Sequence, residues 1–277
     1  MTLSRSILSI CTVFASFSAL AANINIEQIP DLPIKNIPAV PQSPDAVPNA
    51  KTWQISMGGG LSYAPRYEGA ASGQLRFMPL LDASYNDGKF FISPLRGIGV
   101  NFSEEKDVQY GTRLSLGRGR DQSADAHLNG MGNINYVPEA GVFYNQRFGA
   151  YYFSSGVSSG SNGSHAEIGS GIGFPLGAED RLRLGVNINW ADYKYTQTYF
   201  GVTTVQATAS GNELTVYDAS AGVTDYALTT NWTHNYNKKW FSNTGLSFKQ
   251  ITGSAQQSPL TQRSSNGSVN YLLGYRF

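Results

Sequence analysis

The last ten residues constrain this chain more than any other stretch. Side chains of a β-strand point alternately to opposite faces. From Ser268 to Phe277, one face carries Val269, Tyr271, Leu273, Tyr275 and Phe277, and the other carries Ser268, Asn270, Leu272, Gly274 and Arg276. The first face is apolar and aromatic and ends on the C-terminal residue. The second is mostly small or polar. A transmembrane barrel strand needs about 9–11 residues with this character, apolar toward lipid and polar toward the lumen. The chain therefore reads as all-β, a transmembrane antiparallel up-and-down β-barrel closed by this strand.

The same alternation recurs upstream. Trp53, Ile55, Met57, Leu61 and Tyr63 oppose Gln54, Ser56, Gly58, Gly60 and Ser62. Leu75, Phe77, Leu81 and Tyr85 oppose Arg76, Asp82 and Ser84. Val108, Tyr110, Leu114 and Leu116 oppose Gln109, Gly111, Arg113 and Ser115. Ile168, Ile172 and Phe174 oppose Glu167, Gly169, Gly171 and Gly173, and Leu182 to Trp190 alternates with Arg183, Gly185, Asn187 and Asn189. Tight links are expected near 86–88, 147–150, 176–180 and 235–238, and long ones at 118–136, 193–217 and 251–266. Short periplasmic turns and long outer loops are the barrel rule. Keeping the short turns on one side requires the segment 88–102 to be two strands broken near Pro94 to Gly97. The count is then twelve, with ten as the alternative.

Composition agrees with this class. Among 277 residues only 14% are charged, 12% are aromatic and 30 are glycine. No stretch of 18 apolar residues follows the N-terminus, which excludes a helical membrane protein. The net charge of +1 gives no reason to expect nucleic-acid binding. The single cysteine, Cys11, falls in residues 1–21, which read as a signal peptide: Arg5, an apolar core from Ile7 to Leu20, then Ala19-Leu20-Ala21. Residues 22–50 hold six of the 12 prolines and read as an extended periplasmic segment, either a spacer or a tether. The barrel is assigned to 51–277, in the outer membrane of a Gram-negative cell and in contact with its lipid.

The registers turn Arg76, Asp82, Arg113, Glu167, Arg183, Asp225, Lys249 and Arg276 into the lumen. These charges either pair and plug a modest barrel or line a narrow channel with an anion preference. Trp53, Tyr63, Tyr85, Trp190, Trp232, Trp240, Tyr275 and Phe277 cluster near strand ends, as membrane-interface aromatics do. The three histidines, His127, His165 and His234, have no metal-ligand spacing. No nucleophile, base and orienting residue can be named together, so the chain is expected not to be an enzyme and to need no cofactor.

Several collinear segments resemble the MltA-interacting protein (MipA)/OmpV family of outer-membrane proteins. They are Gly58 to Gly69, Phe91 to Gly99, Tyr195 to Thr203 with Ala209-Ser210-Gly211 and Tyr217-Asp218-Ala219, Ile251 to Leu260, and Tyr271 to Phe277. The family pattern usually has an acidic residue near Ser254-Ala255, where this chain has none. The resemblance implies an outer-membrane barrel. Some relatives are described as scaffolds bringing a murein transglycosylase together with a murein synthase, and others are linked to permeation, adhesion or antibiotic response. It supplies no catalytic residues. The expected function is a non-enzymatic cell-envelope scaffold, with a small solute channel of mildly basic lumen as the alternative.

Overall fold

The computed structural model describes residues 53–94, 96–211 and 213–277. The signal peptide and the proline-rich segment lie outside the described residues. Among the described residues there are twelve strands: β1 (Trp53–Pro65), β2 (Gly73–Tyr85), β3 (Phe90–Ser93), β4 (Gly97–Asn101), β5 (Val108–Gly117) and β6 (Val137–Phe148) in the first half. The second half holds β7 (Tyr151–Gly160), β8 (Gly163–Pro175), β9 (Asp180–Ala191), β10 (Gly222–Asn235), β11 (Trp240–Ile251) and β12 (Ser265–Arg276). Each pairs antiparallel with its sequence neighbours, and β12 returns to β1, so the sheet closes. Closure matters because unpaired backbone groups cannot be hydrated in lipid.

The closing seam runs from Ser56 opposite Arg276 to Tyr63 opposite Val269. Phe277 extends it, its N–H bonding Ile55 O at 2.9 Å. Trp53 and Phe277 therefore lie at one end of the barrel, the terminal end. The opposite end carries the long connections and is the loop end. Residues 88–102 do form two strands. Asn86 and Asp87 take the left-handed backbone that their tight turn requires (φ 53° and 57°). β3 and β4 are short because the chain turns back at Pro94 to Gly97, half-way up the wall. Arg96 in that turn lies over the Phe91 ring at 4.7 Å and pairs with Asp82 of β2 at 2.7 Å.

The outward face is apolar, with Leu75, Phe77, Ile98, Leu114, Val157 and Leu228 all exposed. Beside the short hairpin this face has an apolar hollow of about 870 Å³, lined by Trp53, Tyr85, Phe90, Ile92, Leu114 and Val142 among others. Two features depart from the sequence reading. The loop-end link between β7 and β8 is only residues 161–162, and the terminal-end link between β4 and β5 spans 102–107. The inward face is also not uniformly polar: Met78, Leu80, Phe91, Phe143, Phe241 and Leu272 are inward and buried. A barrel of this size has an interior that side chains can fill, so apolar packing replaces water there.

Gly274 exists for that packing, since a Cβ there would collide with the Phe241 ring and Leu80. Gly274→Val should lower the stability of the detergent-folded protein by roughly 1–3 kcal/mol through overpacking. The check is the urea midpoint of heat-modifiable gel mobility; an unchanged midpoint would show that the inward apolar cluster is loosely packed.

Candidate functional site: a capped, charge-paired lumen

Four connections fold over the loop end as one ordered cap. They are residues 66–72, 118–136, 192–221 and 252–264. The third contains α1 (Tyr193–Phe200) and α2 (Thr204–Ala209), and the fourth contains α3 (Gly253–Gln257). Asp192 caps α1 by accepting from Tyr195 N, and Thr203 with Gln206 forms a capping box on α2. Two apolar clusters hold the cap. One joins Tyr67, Leu128, Met131, Val202, Leu214 and Leu260; the other joins Tyr195, Tyr199, Phe200, Ala219, Ile251 and Ala255. Polar bonds cross between the loops: Tyr67 Oη donates to Leu260 O at 2.9 Å, Gln206 Nε2 to Met131 O at 2.8 Å, and Arg120 Nη1 to Tyr199 O at 2.7 Å. Three of the segments that carry the family resemblance meet here: Gly58 to Gly69, the stretch from Tyr195 to Ala219, and Ile251 to Leu260. Ser254 Oγ accepts from Ser220 N at 2.8 Å, and Ser254 O accepts from Tyr217 Oη at 2.7 Å.

Under the cap lies a charge network. Glu68 Oε2 accepts from Arg118 Nη1 at 2.5 Å and Oε1 from Lys249 Nζ at 2.7 Å. Lys249 also lies 3.7 Å from Asp225 Oδ1, which accepts from Asn189 Nδ2 at 2.6 Å. Burial pushes the Tyr195 phenol, which faces this network from α1, well above its usual range.

Further down, Arg113 Nη2 contacts Glu167 Oε1 at 3.2 Å, with Arg113 only 5% exposed. His165 Nε2 meets Glu139 Oε2 at 3.1 Å, and the Tyr195 ring packs 5.1 Å from the imidazole. Ser158 sits directly across the strand pair from His165. A serine, a histidine and a glutamate thus share one inner wall. Ser158 is 1% exposed and its Oγ accepts from Arg113 at 3.5 Å, so the hydroxyl faces packed protein rather than a substrate cavity. Among the described residues no three His, Cys, Asp or Glu side chains could hold a metal ion.

The other inward charges are distributed by height. Arg76, near the loop end, donates to Arg66 O at 3.3 Å. Asp82 is held by Arg96. Arg276, at the terminal end, stacks over Phe241 at 4.3 Å and donates to Asn235 Oδ1 at 2.7 Å. Arg183 lies against Gly173, 3.2 Å from where a Cβ would stand. Outside, Trp53, Tyr85, Trp232, Trp240, Tyr275 and Phe277 ring the terminal end, while Tyr63 and Trp190 lie toward the loop end. Ring pairs join several of them: Trp53–Tyr85 at 5.3 Å, Trp240–Tyr275 at 5.0 Å and Tyr275–Phe277 at 4.9 Å.

Sequence reasoning did not select Glu68, Arg118, Arg96, Glu139 or Tyr152. Glu139 had a signal, since Glu139, Gly141, Phe143 and Asn145 alternate with Pro138, Ala140 and Val142. Glu68, Arg96 and Arg118 lie in connections, where no period predicts direction.

A closed antiparallel sheet of twelve strands, apolar outside and charge-paired inside, defines a transmembrane β-barrel. Within that class, the family described as MltA-interacting protein MipA matches residues 57–277, and the chain belongs to it. No curated protein matches the sequence. Among solved structures, the chain is similar to an anion-selective porin from Comamonas acidovorans at 10% identity, covering 82% of this chain and 99% of that one, with a TM-score of 0.38. It is also similar to the outer-membrane channel DcaP of Acinetobacter baumannii at 7% identity, covering 82% and 96%, with a TM-score of 0.39.

Removing one partner from a buried ion network leaves the others uncompensated, at roughly 3 kcal/mol or somewhat less where solvent still reaches them. Glu68→Ala should therefore loosen the cap more than the barrel. Limited proteolysis should cut within 192–221 or 252–264 faster than in wild type, while heat-modifiable mobility persists. Equal cleavage rates would show that Glu68 does not hold the cap.

Proposed function

We propose that the protein is a non-enzymatic outer-membrane barrel that acts as a cell-envelope scaffold. It is exported through its N-terminal signal peptide, its terminal end faces the periplasm, and it brings a murein transglycosylase together with a murein synthase. The family's description as an MltA-interacting protein supports a murein-enzyme partner. The observation that carries the reading is the filled and capped interior. Arg113, Glu139, Glu167 and Asp225 are each at most 6% exposed, and the cap lies across the loop end. A solute path needs a hydrated lumen, and this one is occupied by paired charges and apolar side chains. The large remaining surfaces are the lipid face and the two ends, which suits contact better than passage.

Two measurements test this. The barrel should copurify with a murein transglycosylase from detergent-solubilised envelopes. Deleting residues 27–50 should weaken that capture if the proline-rich segment is a tether; full retention would leave the segment as a spacer. In planar bilayers, wild-type protein should show no steady conductance steps. Clear steps reduced by Arg113→Glu would instead favour the small channel.

A further inference from the structure

Two adjacent rows of outward side chains cross the wall from β2 to β7. Tyr85, Phe90, Val100, Thr112, Val142 and Val157 are successive cross-strand partners. The row beside them runs from Ile92 through Ile98, Leu114 and Ala140 to Ser159. Both rows line the hollow of about 870 Å³ on the lipid-facing side, a volume within the roughly 300–1,000 Å³ typical of ligand pockets. Tyr85 is the last residue of β2, at the terminal end, and Val157 lies near the loop end of β7. The hollow therefore climbs obliquely from the terminal end into the loop half of the wall.

This hollow is open to lipid and shut toward the lumen. Behind its floor the Phe91 and Phe143 rings pack edge to face at 5.7 Å. A Cβ on Gly99 would strike the Phe91 ring and one on Gly111 would crowd Phe143, so both rings lie against bare backbone. Arg113 borders the floor but turns its guanidinium inward to Glu167. Ser159 Oγ is met by Ser164 Oγ at 2.8 Å. The upper part thus offers hydrocarbon and no unmet charge. The lower end differs. Trp53 packs on Tyr85 at 5.3 Å and Tyr85 on Phe90 at 6.5 Å, and the turn beneath them carries Asp87 and the exposed Lys89.

Length identifies the occupant. Five strand spacings of about 4.8 Å separate Tyr85 from Val157, roughly 24 Å. On strands tilted by about 45° that row rises about 17 Å, close to half of the roughly 30 Å hydrocarbon core. A helix crossing the membrane would need nearly twice that rise, whereas a lipid tail needs one leaflet. The aromatic corner and the charged turn stand at the level of a head group. We propose that the hollow is a binding site for one phospholipid of the terminal-end leaflet. One acyl chain lies along the Tyr85–Val157 row, and the head group lies at Trp53, Tyr85 and Lys89. Ala140 and Thr112, the small side chains of the floor, make room for the chain. The choice of a phospholipid rests on the periplasmic orientation proposed above. The hollow does not depend on murein-enzyme capture, so either reading can fail alone.

The test mixes delipidated, detergent-folded full-length protein with phosphatidylethanolamine or, separately, with lipid A, and reads retained lipid by native mass spectrometry. One phosphatidylethanolamine should survive on each barrel at a detergent excess that strips lipid A. Ala140→Trp, which fills the hollow from the lipid side, should lower retention about tenfold or more, since losing about two methylene contacts already costs that factor. Leu228→Trp, outward on β10 and away from the hollow, should retain the lipid. If Ala140→Trp does not fold, Thr112→Phe is read in its place. No retained phosphatidylethanolamine, equal retention by the filled variant, tighter retention of lipid A, or a lipid-free dimer overturns the proposal.

Discussion

A backbone in hydrocarbon has no water to bond, so every strand edge must find a partner. That requirement sets the rest of the structure. β12 must return to β1, the strand number must let both seams run antiparallel, and one set of alternate side chains must face lipid along each strand. The apolar outer face and the aromatic ring at the terminal end follow directly. Even the short β3–β4 hairpin obeys the rule. It supplies the two strands needed for pairing, and Arg96 in its tip is returned to Asp82 instead of being left in the wall.

Closure creates a second demand, because a twelve-strand barrel encloses an interior. Here it is filled in two different ways. Around β1, β2, β11 and β12 the filling is apolar, with Met78, Leu80, Phe241 and Leu272 packed against glycine backbone at Gly274. Around β5 to β8 it is polar, with the Arg113–Glu167 ion pair and the His165–Glu139 contact. The cap then lies over both. Buried charges are tolerated because each is met by an opposite charge or a hydrogen bond at short range. That matching is incomplete at Arg183 on β9, whose Nη1 is buried without a hydrogen-bond partner.

Much of the barrel was legible in advance because its period is short. Alternation identified the strands and the closing strand β12, and the requirement that short turns share one end divided 88–102 into two. It also set the inward direction of Arg113, Glu167 and Arg183. The filling was less legible. Alternation says that Leu80 and Arg183 point inward, but not that one meets Phe241 while the other lies against Gly173. The cap was almost invisible. Its residues stand in connections without period, and its partners, such as Tyr67 with Leu260, are separated by most of the chain.

By itself the sequence determined a transmembrane barrel, its closing strand and its inward and outward faces, because a two-residue period is a local property of the chain. Only the tertiary structure decided that the interior is closed, since closure depends on which side chains meet across the barrel. Glu68 joins Arg118 and Lys249 from three separate elements, and the apolar residues of four loops become one cap. Those contacts are long-range, and no local pattern specifies them.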